Sequence, residues 1–337
     1  MFRGRILAWA LALGVFWFPA RAADAPPKPP RGLPPVFWPA GNPYSRAKAE
    51  LGRLLYFDAR LSADGTVSCA SCHDPKAAFT DGAPVSTGIK GQHGTRSAPT
   101  VINRVFGMAQ FWDGRAASLE EQAKGPIANP VEMGMTHEAA VARIRGIAGY
   151  RPRFAAAFGS DAVDLDRIVK AIACFERTVI SGNAPYDRYL AGDRQAMTAA
   201  QVRGMNVFVN KAKCDQCHEG ANFTLNSYHN LGIGTDRPDP DAGRFAVTRD
   251  PRDWGAFKTP TLREIEHTAP YMHDGSLKTL ADVIEFYDKG GIPNRNLDPA
   301  IKPLHLTARD KSDLVEFLKA LGGEGWQQIA APAQLPE

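Results

Sequence analysis

The chain has 337 residues, enough to form two ordinary domains with their own hydrophobic cores. Its 40 lysine and arginine residues against 36 acidic residues give a formal net charge of +4, without a long run of basic residues. This near balance argues against a nucleic acid as partner.

The first 22 residues have the pattern of a secretory signal peptide. A basic start with Arg3 and Arg5 is followed by the apolar run 6–18 and by Ala20-Arg21-Ala22, which supplies small residues for cleavage. The apolar run is short for a membrane span, so a cleaved segment is favoured over an uncleaved anchor, and no later stretch is predicted to span. Cleavage removes three arginines and no acid, which leaves 37 basic against 36 acidic residues, or +1.

A proline-rich leader at residues 23–43 is predicted to be an extended arm rather than part of a core. Beyond it, the apolar periodicity is mainly helical, and stretches rich in Gly, Pro and Asp, such as Ser227–Trp254, are predicted to be loops. The clearest predicted helices are Asp164–Ile180, Ala199–Asn210, Leu280–Tyr287 and Ala308–Leu321.

The pentapeptide Cys-x-x-Cys-His occurs twice, as Cys69-Ala-Ser-Cys72-His73 and as Cys214-Asp-Gln-Cys217-His218. It is the attachment signature of c-type haem, in which two thiols bind the porphyrin and the following imidazole ligates the iron. A zinc site or a redox cysteine pair does not require a histidine directly after both pairs. The sequence therefore predicts two covalently bound c-type haems. Because c-type haem is attached outside the bacterial cytoplasm, the predicted compartment is the periplasm.

With one motif in each half, residues 44–190 are predicted to form an N-terminal haem domain and residues 191–337 a C-terminal one. The predicted fold class is mainly α, with two cytochrome-c-like haem domains and long loops. Only Cys174 is left over from the haem motifs, so an intramolecular disulfide is excluded. Cys174 projects away from the apolar face of its predicted helix. We interpret it as packing at an interface, with a reactive thiol as the alternative.

Several further blocks resemble those of the bacterial di-haem cytochrome c peroxidase family, and most closely its MauG-like branch, which includes MbnH-like proteins. The blocks are Arg96-Ser97-Ala98-Pro99-Thr100, Gln110-Phe111-Trp112-Asp113-Gly114-Arg115, Pro130-Val131-Glu132-Met133, Lys258-Thr259-Pro260-Thr261-Leu262-Arg263 and Pro270-Tyr271-Met272-His273-Asp274-Gly275. The resemblance covers nearly all of the chain after the signal segment. It implies a first haem, on His73, that reacts with hydrogen peroxide, and a second, on His218, that stores or relays an oxidising equivalent.

The resemblance also implies roles for three residues around the haems. Glu132 matches the carboxylate that moves a proton from the near peroxide oxygen to the far one, and Gln122 matches an amide that orients peroxide or its water. Trp112 matches an indole that relays electrons between the two haems. The alternatives are a solvated loop carboxylate for Glu132 and a buried packing aromatic for Trp112, the latter being compatible with a relay.

Two positions separate the MauG-like branch from conventional members of the family. Conventional members cap the first iron with a histidine, and the matching position is Ile89, which cannot bind iron. His93, four residues later, is interpreted as a loop residue that faces solvent, with ligation of the first iron as the alternative. Conventional members ligate the second iron with a methionine fourteen residues after the position of His273, where this chain has Tyr287. A phenolate favours ferric and higher iron, so Tyr287 is the predicted distal ligand, with a core tyrosine as the alternative.

The family also has a calcium site between its haem domains, built mainly from backbone carbonyls and water. Thr268 and Pro270 match two of its positions, and calcium accepts such oxygen ligands. The third position is usually asparagine but is Ser97 here. The resemblance thus predicts one bound Ca²⁺, with Ser97 as the departure from the pattern.

Together these features predict a periplasmic MauG-like di-haem peroxidase. Hydrogen peroxide would produce a high-valent di-haem state that oxidises a docked protein by long-range electron transfer. In this branch the oxidised residue is a tryptophan, which MauG completes to a quinone and MbnH-like relatives convert to kynurenine. The alternatives are a conventional cytochrome c peroxidase with a small cytochrome or cupredoxin as donor, and a di-haem electron carrier without chemistry of its own.

Overall fold

The computed structural model describes residues 24–337, so the predicted signal peptide lies outside the described residues. The mainly α prediction is confirmed. The helices are α1 Arg46–Tyr56, α2 Cys69–Cys72, α3 Leu119–Ala128, α4 His137–Arg145, α5 Arg151–Phe158, α6 Leu165–Glu176, α7 Pro185–Leu190, α8 Ala199–Asn206, α9 Phe245–Thr248, α10 Leu280–Asp288 and α11 Ala308–Lys319. Strands β1 (Tyr228–His229) and β2 (Phe257–Lys258) form one antiparallel pair. From residue 24 onwards, no helix is long and apolar enough to cross a membrane.

Two sequence predictions about secondary structure need correction. The stretch Ser227–Trp254 is not all loop, because it contains β1 and α9. The helix predicted to reach Ile180 ends at Glu176. After Glu176 the chain leaves the helix. The carbonyl of Val179 there accepts a 2.9 Å hydrogen bond from the backbone amide of Asn103. A tertiary contact of this kind leaves no trace in local periodicity.

The same helix crossing occurs twice in the chain. α1 packs on α6 and α8 packs on α11, and each pair belongs to its own buried apolar cluster. A Cβ at Gly52 would lie 1.8 Å from the carbonyl oxygen of Ala171, and one at Gly204 would lie 1.9 Å from that of Asp313. Each crossing therefore requires glycine so that the two backbones can touch. We propose that the two clusters are the cores of the two haem domains.

Cys174 is completely buried on α6, with its sulfur 4.0 Å from the carbonyl oxygen of Ser45 just before α1. Burial raises the pKa of its thiol, which disfavours the reactive thiolate. The residue packs where α6 meets the start of α1. This placement agrees with the interpretation of Cys174 as a packing residue.

The leader packs along the junction between the two helix pairs. The carbonyl of Arg31 accepts a hydrogen bond from the Asn183 amide at 2.7 Å. Gly32, with φ of +87°, lies directly against the Asp187 carboxylate, where any Cβ would come within 2.0 Å of an oxygen. Asp187 in turn forms two hydrogen bonds, of 2.6 and 2.8 Å, with the guanidinium of Arg263. This ion pair is buried and ties α7 to the segment after β2 that carries Arg263.

Replacing Asp187 with asparagine should lower the free energy of unfolding by about 3–5 kcal/mol, because it leaves the Arg263 charge buried without a counter-ion. Chemical unfolding of the haem-loaded protein, followed by tryptophan fluorescence, measures the loss. The matched control is Asp166→Asn, whose ion pair with Lys170 is exposed and should contribute nothing measurable. Equal stability of the two variants would contradict the role given to the buried pair.

Candidate haem sites and the residues between them

The first haem motif is held on a single helical turn. α2 spans Cys69–Cys72, which brings two thiols three positions apart onto one side of the turn. His73 ends the turn, and its Nδ1 lies 3.2 Å from the carbonyl oxygen of Phe79. A proton on Nδ1 donated to that carbonyl leaves Nε2 free as a metal ligand, the usual arrangement of a ligating histidine. These residues fit a covalently attached haem.

The second motif repeats this arrangement beside a cavity of about 480 Å³. His218 Nδ1 lies 3.0 Å from the carbonyl oxygen of Phe223, so its Nε2 is likewise free. Burial lowers the pKa of His218 to about 4, which keeps the imidazole in the neutral form that binds metals. The cavity is lined by Cys214, Cys217 and His218 and by mainly apolar side chains. Its size and donor set fit a haem.

Tyr287 lines the same cavity as His218, on α10. Burial raises the pKa of its hydroxyl, so a phenolate at this position needs an adjacent cation, which ferric iron would supply. Other cavity side chains with ligating atoms include Met272, His229 and His273. Both ring nitrogens of His229 are engaged, since Nε2 is 2.8 Å from Ser227 Oγ and Nδ1 is 2.7 Å from Asp298 Oδ2.

Glu132 lies in the loop after α3, half-buried and beside Ile89. The amide of Ile89 donates a 2.9 Å hydrogen bond to the backbone carbonyl of Glu132, and the Ile89 side chain is buried. Burial raises the pKa of the Glu132 carboxyl, while Arg115 and a hydrogen bond from Asn129 oppose this rise. Asn129 Nδ2 donates to Glu132 Oε1 at 2.7 Å. An oriented carboxyl with a raised pKa holds a proton more readily than an exposed one, which suits it to accepting and returning a proton.

The other two residues predicted near the first haem differ in exposure. Gln122 is half-buried on α3, the helix that leads into the Glu132 loop. His93 is exposed, and its Nδ1 lies 3.2 Å from Thr87 Oγ1. The interpretation of His93 as a solvent-facing loop residue agrees with this placement.

Trp112 lines the cavity of the second haem motif. Its indole Nε1 donates a 2.8 Å hydrogen bond to the carbonyl of Ser97, and its own carbonyl accepts one of 2.7 Å from the amide of Lys258. Arg96 forms ion pairs with Asp113, the residue after Trp112, at 2.7 Å and with Asp241 at 2.6 Å. Trp112 is therefore held by Ser97 through its indole and by Lys258 through its backbone.

The predicted calcium positions Ser97, Thr268 and Pro270 line the same cavity as Trp112. The Ser97 carbonyl is already engaged by the indole of Trp112, and its amide donates a 2.7 Å hydrogen bond to the carbonyl of His273. His273 itself stacks on Phe257, with ring centroids 3.5 Å apart. Its packing is consistent with the interpretation of His273 as a supporting residue rather than an iron ligand.

Sequence reasoning missed three features of these sites: the donor Asn129, the Ser227–His229–Asp298 chain and the buried side chain of Lys258. Asn129 had a local signal, because its Oδ1 accepts from the amide two residues on, the pattern of an Asx turn just before Glu132. Lys258 begins one of the blocks that resemble the family, but the resemblance gave it no role and no local pattern predicts its burial. Its burial arises only when β2 meets the cavity wall.

Residues 46–195 match the family described as di-haem cytochrome c peroxidase. MauG of Methylophilus methylotrophus is 40% identical over 326 residues, which are 94% of this chain and 95% of that protein. The chain belongs to the di-haem cytochrome c peroxidase family. A cytochrome c551 peroxidase of Nitrosomonas europaea is also 40% identical, over 319 residues, with coverage of 94% and 90%.

The fold comparison agrees with this assignment. The crystal structure of a MauG-like protein associated with microbial copper homeostasis matches with a TM-score of 0.82 and 37% identity, over 90% of this chain and 96% of that one. The recognition as a MauG-like family member is therefore confirmed. As a di-haem peroxidase-like oxidoreductase, the protein carries two c-type haems. Identity alone does not separate MauG chemistry from that of a conventional peroxidase, because both kinds of relative are equally similar.

Asn129→Asp should shift the pH profile of the peroxide reaction upwards. The new carboxylate replaces a donor that stabilises ionised Glu132, so the pKa of Glu132 should rise by about one to two units. Stopped-flow rates between pH 5 and pH 9 measure the shift. The matched control is Asn183→Asp, because Asn183 makes the same contact with Glu324 at an exposed site. Identical profiles for the two variants would remove Asn129 from the proton path.

Proposed function

We propose that this protein is a periplasmic MauG-like enzyme that uses hydrogen peroxide to oxidise a tryptophan of a partner protein. The observation that carries the proposal is the tyrosine on α10. Tyr287 lines the cavity of the second haem motif together with His218. It stands at the position where conventional members of the family use methionine. A phenolate stabilises iron above the ferric state, whereas a thioether favours the ferrous state in which a haem receives electrons from a donor.

The surroundings of Ile89 support the same reading at the first haem. A buried isoleucine stands where conventional members have the capping histidine, and its backbone is bonded to that of Glu132. We infer that peroxide has direct access to the iron held by His73, because no imidazole has to leave first. The two haems supply the reduction of peroxide and the storage of its two oxidising equivalents.

The proposed roles of the chain's own residues follow from their contacts. Glu132, oriented by Asn129, takes the proton from the near oxygen of bound peroxide and returns it to the far oxygen, which leaves as water. Gln122 orients peroxide from α3. Trp112, fixed by Ser97 and Lys258, passes electrons between the haems. An oxidisable ring between two redox centres would shorten each electron transfer.

Three further proposals accompany this function. Residues 1–22 act as a cleaved export signal, which would bring the chain to the compartment where c-type haem is attached. One Ca²⁺ binds near Thr268 and Pro270, where backbone oxygens are the ligands that calcium prefers. Because the Ser97 carbonyl is engaged by Trp112, Ser97 would contribute through its hydroxyl.

Mass spectrometry of candidate partners tests the proposed substrate. The diferric protein is mixed with peroxide and with the products of neighbouring genes, and their tryptophan-containing peptides are searched for added oxygen or lost hydrogen. We expect a mass shift on one tryptophan that requires both peroxide and this protein. Rapid steady-state turnover with a reduced small cytochrome, without any modified tryptophan, would instead establish a conventional peroxidase.

A further inference from the structure

Two cations face the second haem cavity from the side of Trp112. Lys258 is only 4% exposed and lines the cavity from β2. Arg104, from the N-terminal half of the chain, lines it too. Most of the lining is apolar. Lys211, Lys213 and Lys302 also line the cavity but are exposed, whereas Lys258 is buried and Arg104 half-buried.

Neither cation has a carboxylate hydrogen-bonded to it in the part of the chain that the structure describes. Burial, with a smaller contribution from Arg104, lowers the pKa of Lys258 well below its usual value. Arg104 uses Nε and Nη2 for the side chain of Gln110 and the carbonyl of Ala109, which leaves Nη1 for another acceptor. Glu176 acts on Arg104 only through its electrostatic field.

A buried ammonium without a counter-ion is costly, and a second cation nearby increases the cost. An anion in the cavity would remove both penalties. Haem carries two propionate carboxylates, on the edge of the porphyrin opposite the vinyl groups that the motif cysteines bind. Cys214 and Cys217 line the same cavity, so a haem that they hold would have Lys258 and Arg104 within its pocket as partners for the propionates.

We propose that Lys258 and Arg104 form a cationic clamp that binds the propionates of the second haem. The clamp also touches the relay, because the amide of Lys258 donates its 2.7 Å hydrogen bond to the carbonyl of Trp112. One residue therefore positions both the acid edge of the haem and the backbone of the indole. Its positive charge offsets the propionate charge and makes the second iron easier to reduce.

Spectroelectrochemical titration of the haem-loaded protein tests the clamp without reference to catalysis. Lys258→Met removes the charge but retains length, and Lys258→Arg retains the charge. We expect the methionine variant to lower the midpoint potential of the second haem by about 59 mV or more, equivalent to a tenfold change in a one-electron equilibrium. The arginine variant should restore most of that shift, and the first haem should change less.

The control is Lys319→Met, since Lys319 is a surface lysine paired with Glu316 and does not line the cavity. A potential in Lys258→Met that moves no more than in this control would overturn the proposal. A crystal structure of the haem-loaded wild-type protein decides the same question should the methionine variant fail to bind haem. We expect a propionate oxygen within about 3.2 Å of Lys258 Nζ. Both propionates directed into solvent would overturn the clamp.

Discussion

Replacing Tyr287 with histidine should keep the second haem six-coordinate but abolish the high-valent state shared by the two haems. A neutral imidazole stabilises iron above the ferric state less than an anionic phenolate does. Axial ligands move haem potentials over a range of about 0.8 V, so this single change is expected to have a large effect. Rapid-scan spectra after one equivalent of peroxide measure the loss.

The matched control for this variant is Tyr271→Phe. Tyr271 lines the same cavity, but its hydroxyl donates a 2.9 Å hydrogen bond to the carbonyl of Ile265 and is therefore not available as an iron ligand. The control should react with peroxide like the wild type. A high-valent spectrum that survives in Tyr287→His would show that Tyr287 is not the ligand and would direct attention to Met272.

Glu132→Gln should slow peroxide activation by about 10²- to 10⁴-fold, because the amide cannot accept the proton. Both haems should remain attached, since Glu132 belongs to neither haem motif. Glu138→Gln, at an exposed position on α4, is the control and should react at the wild-type rate. A Glu132→Gln variant as fast as this control would remove Glu132 from the mechanism.

The pH dependence gives an independent check on Glu132. Burial raises the pKa of its carboxyl above the usual value of about 4.3. Only the ionised form accepts the proton from peroxide, so the rate should be full above the raised pKa and fall as the pH decreases through it. The low-pH limb of the profile should disappear in Glu132→Gln.

The haem ligands were predictable because their chemistry imposes a fixed local spacing. Two thiols and an imidazole in one pentapeptide must meet one porphyrin, so Cys69, Cys72 and His73 identify the site without tertiary information. Tyr287 and Glu132 were found only through resemblance to the family, since neither stands in a pattern of its own. The structure places Tyr287 in the cavity of the second motif and Glu132 beside Ile89.

Apart from Asn129, whose contact with Glu132 is local, the features that sequence reasoning missed depend on burial or long-range pairing. Lys258 becomes a cavity residue only because β1 and β2 pair, and a two-residue strand is too short for periodicity to reveal. Gly52 and Gly204 lie inside helices, where glycine is ordinarily unfavourable, and only the close approach of α6 and α11 explains them. The repeated helix crossing could not be predicted from the sequence, because the two helix pairs share a geometry and not a sequence pattern.

Mössbauer spectroscopy of ⁵⁷Fe-enriched protein, frozen after one equivalent of peroxide, tests the central claim most directly. The claim is that an open first iron beside Glu132 shares its oxidation with a second iron bound by Tyr287. We predict that the signals of both irons leave the ferric range together. A second iron that stays ferric while the first alone is oxidised would contradict the account.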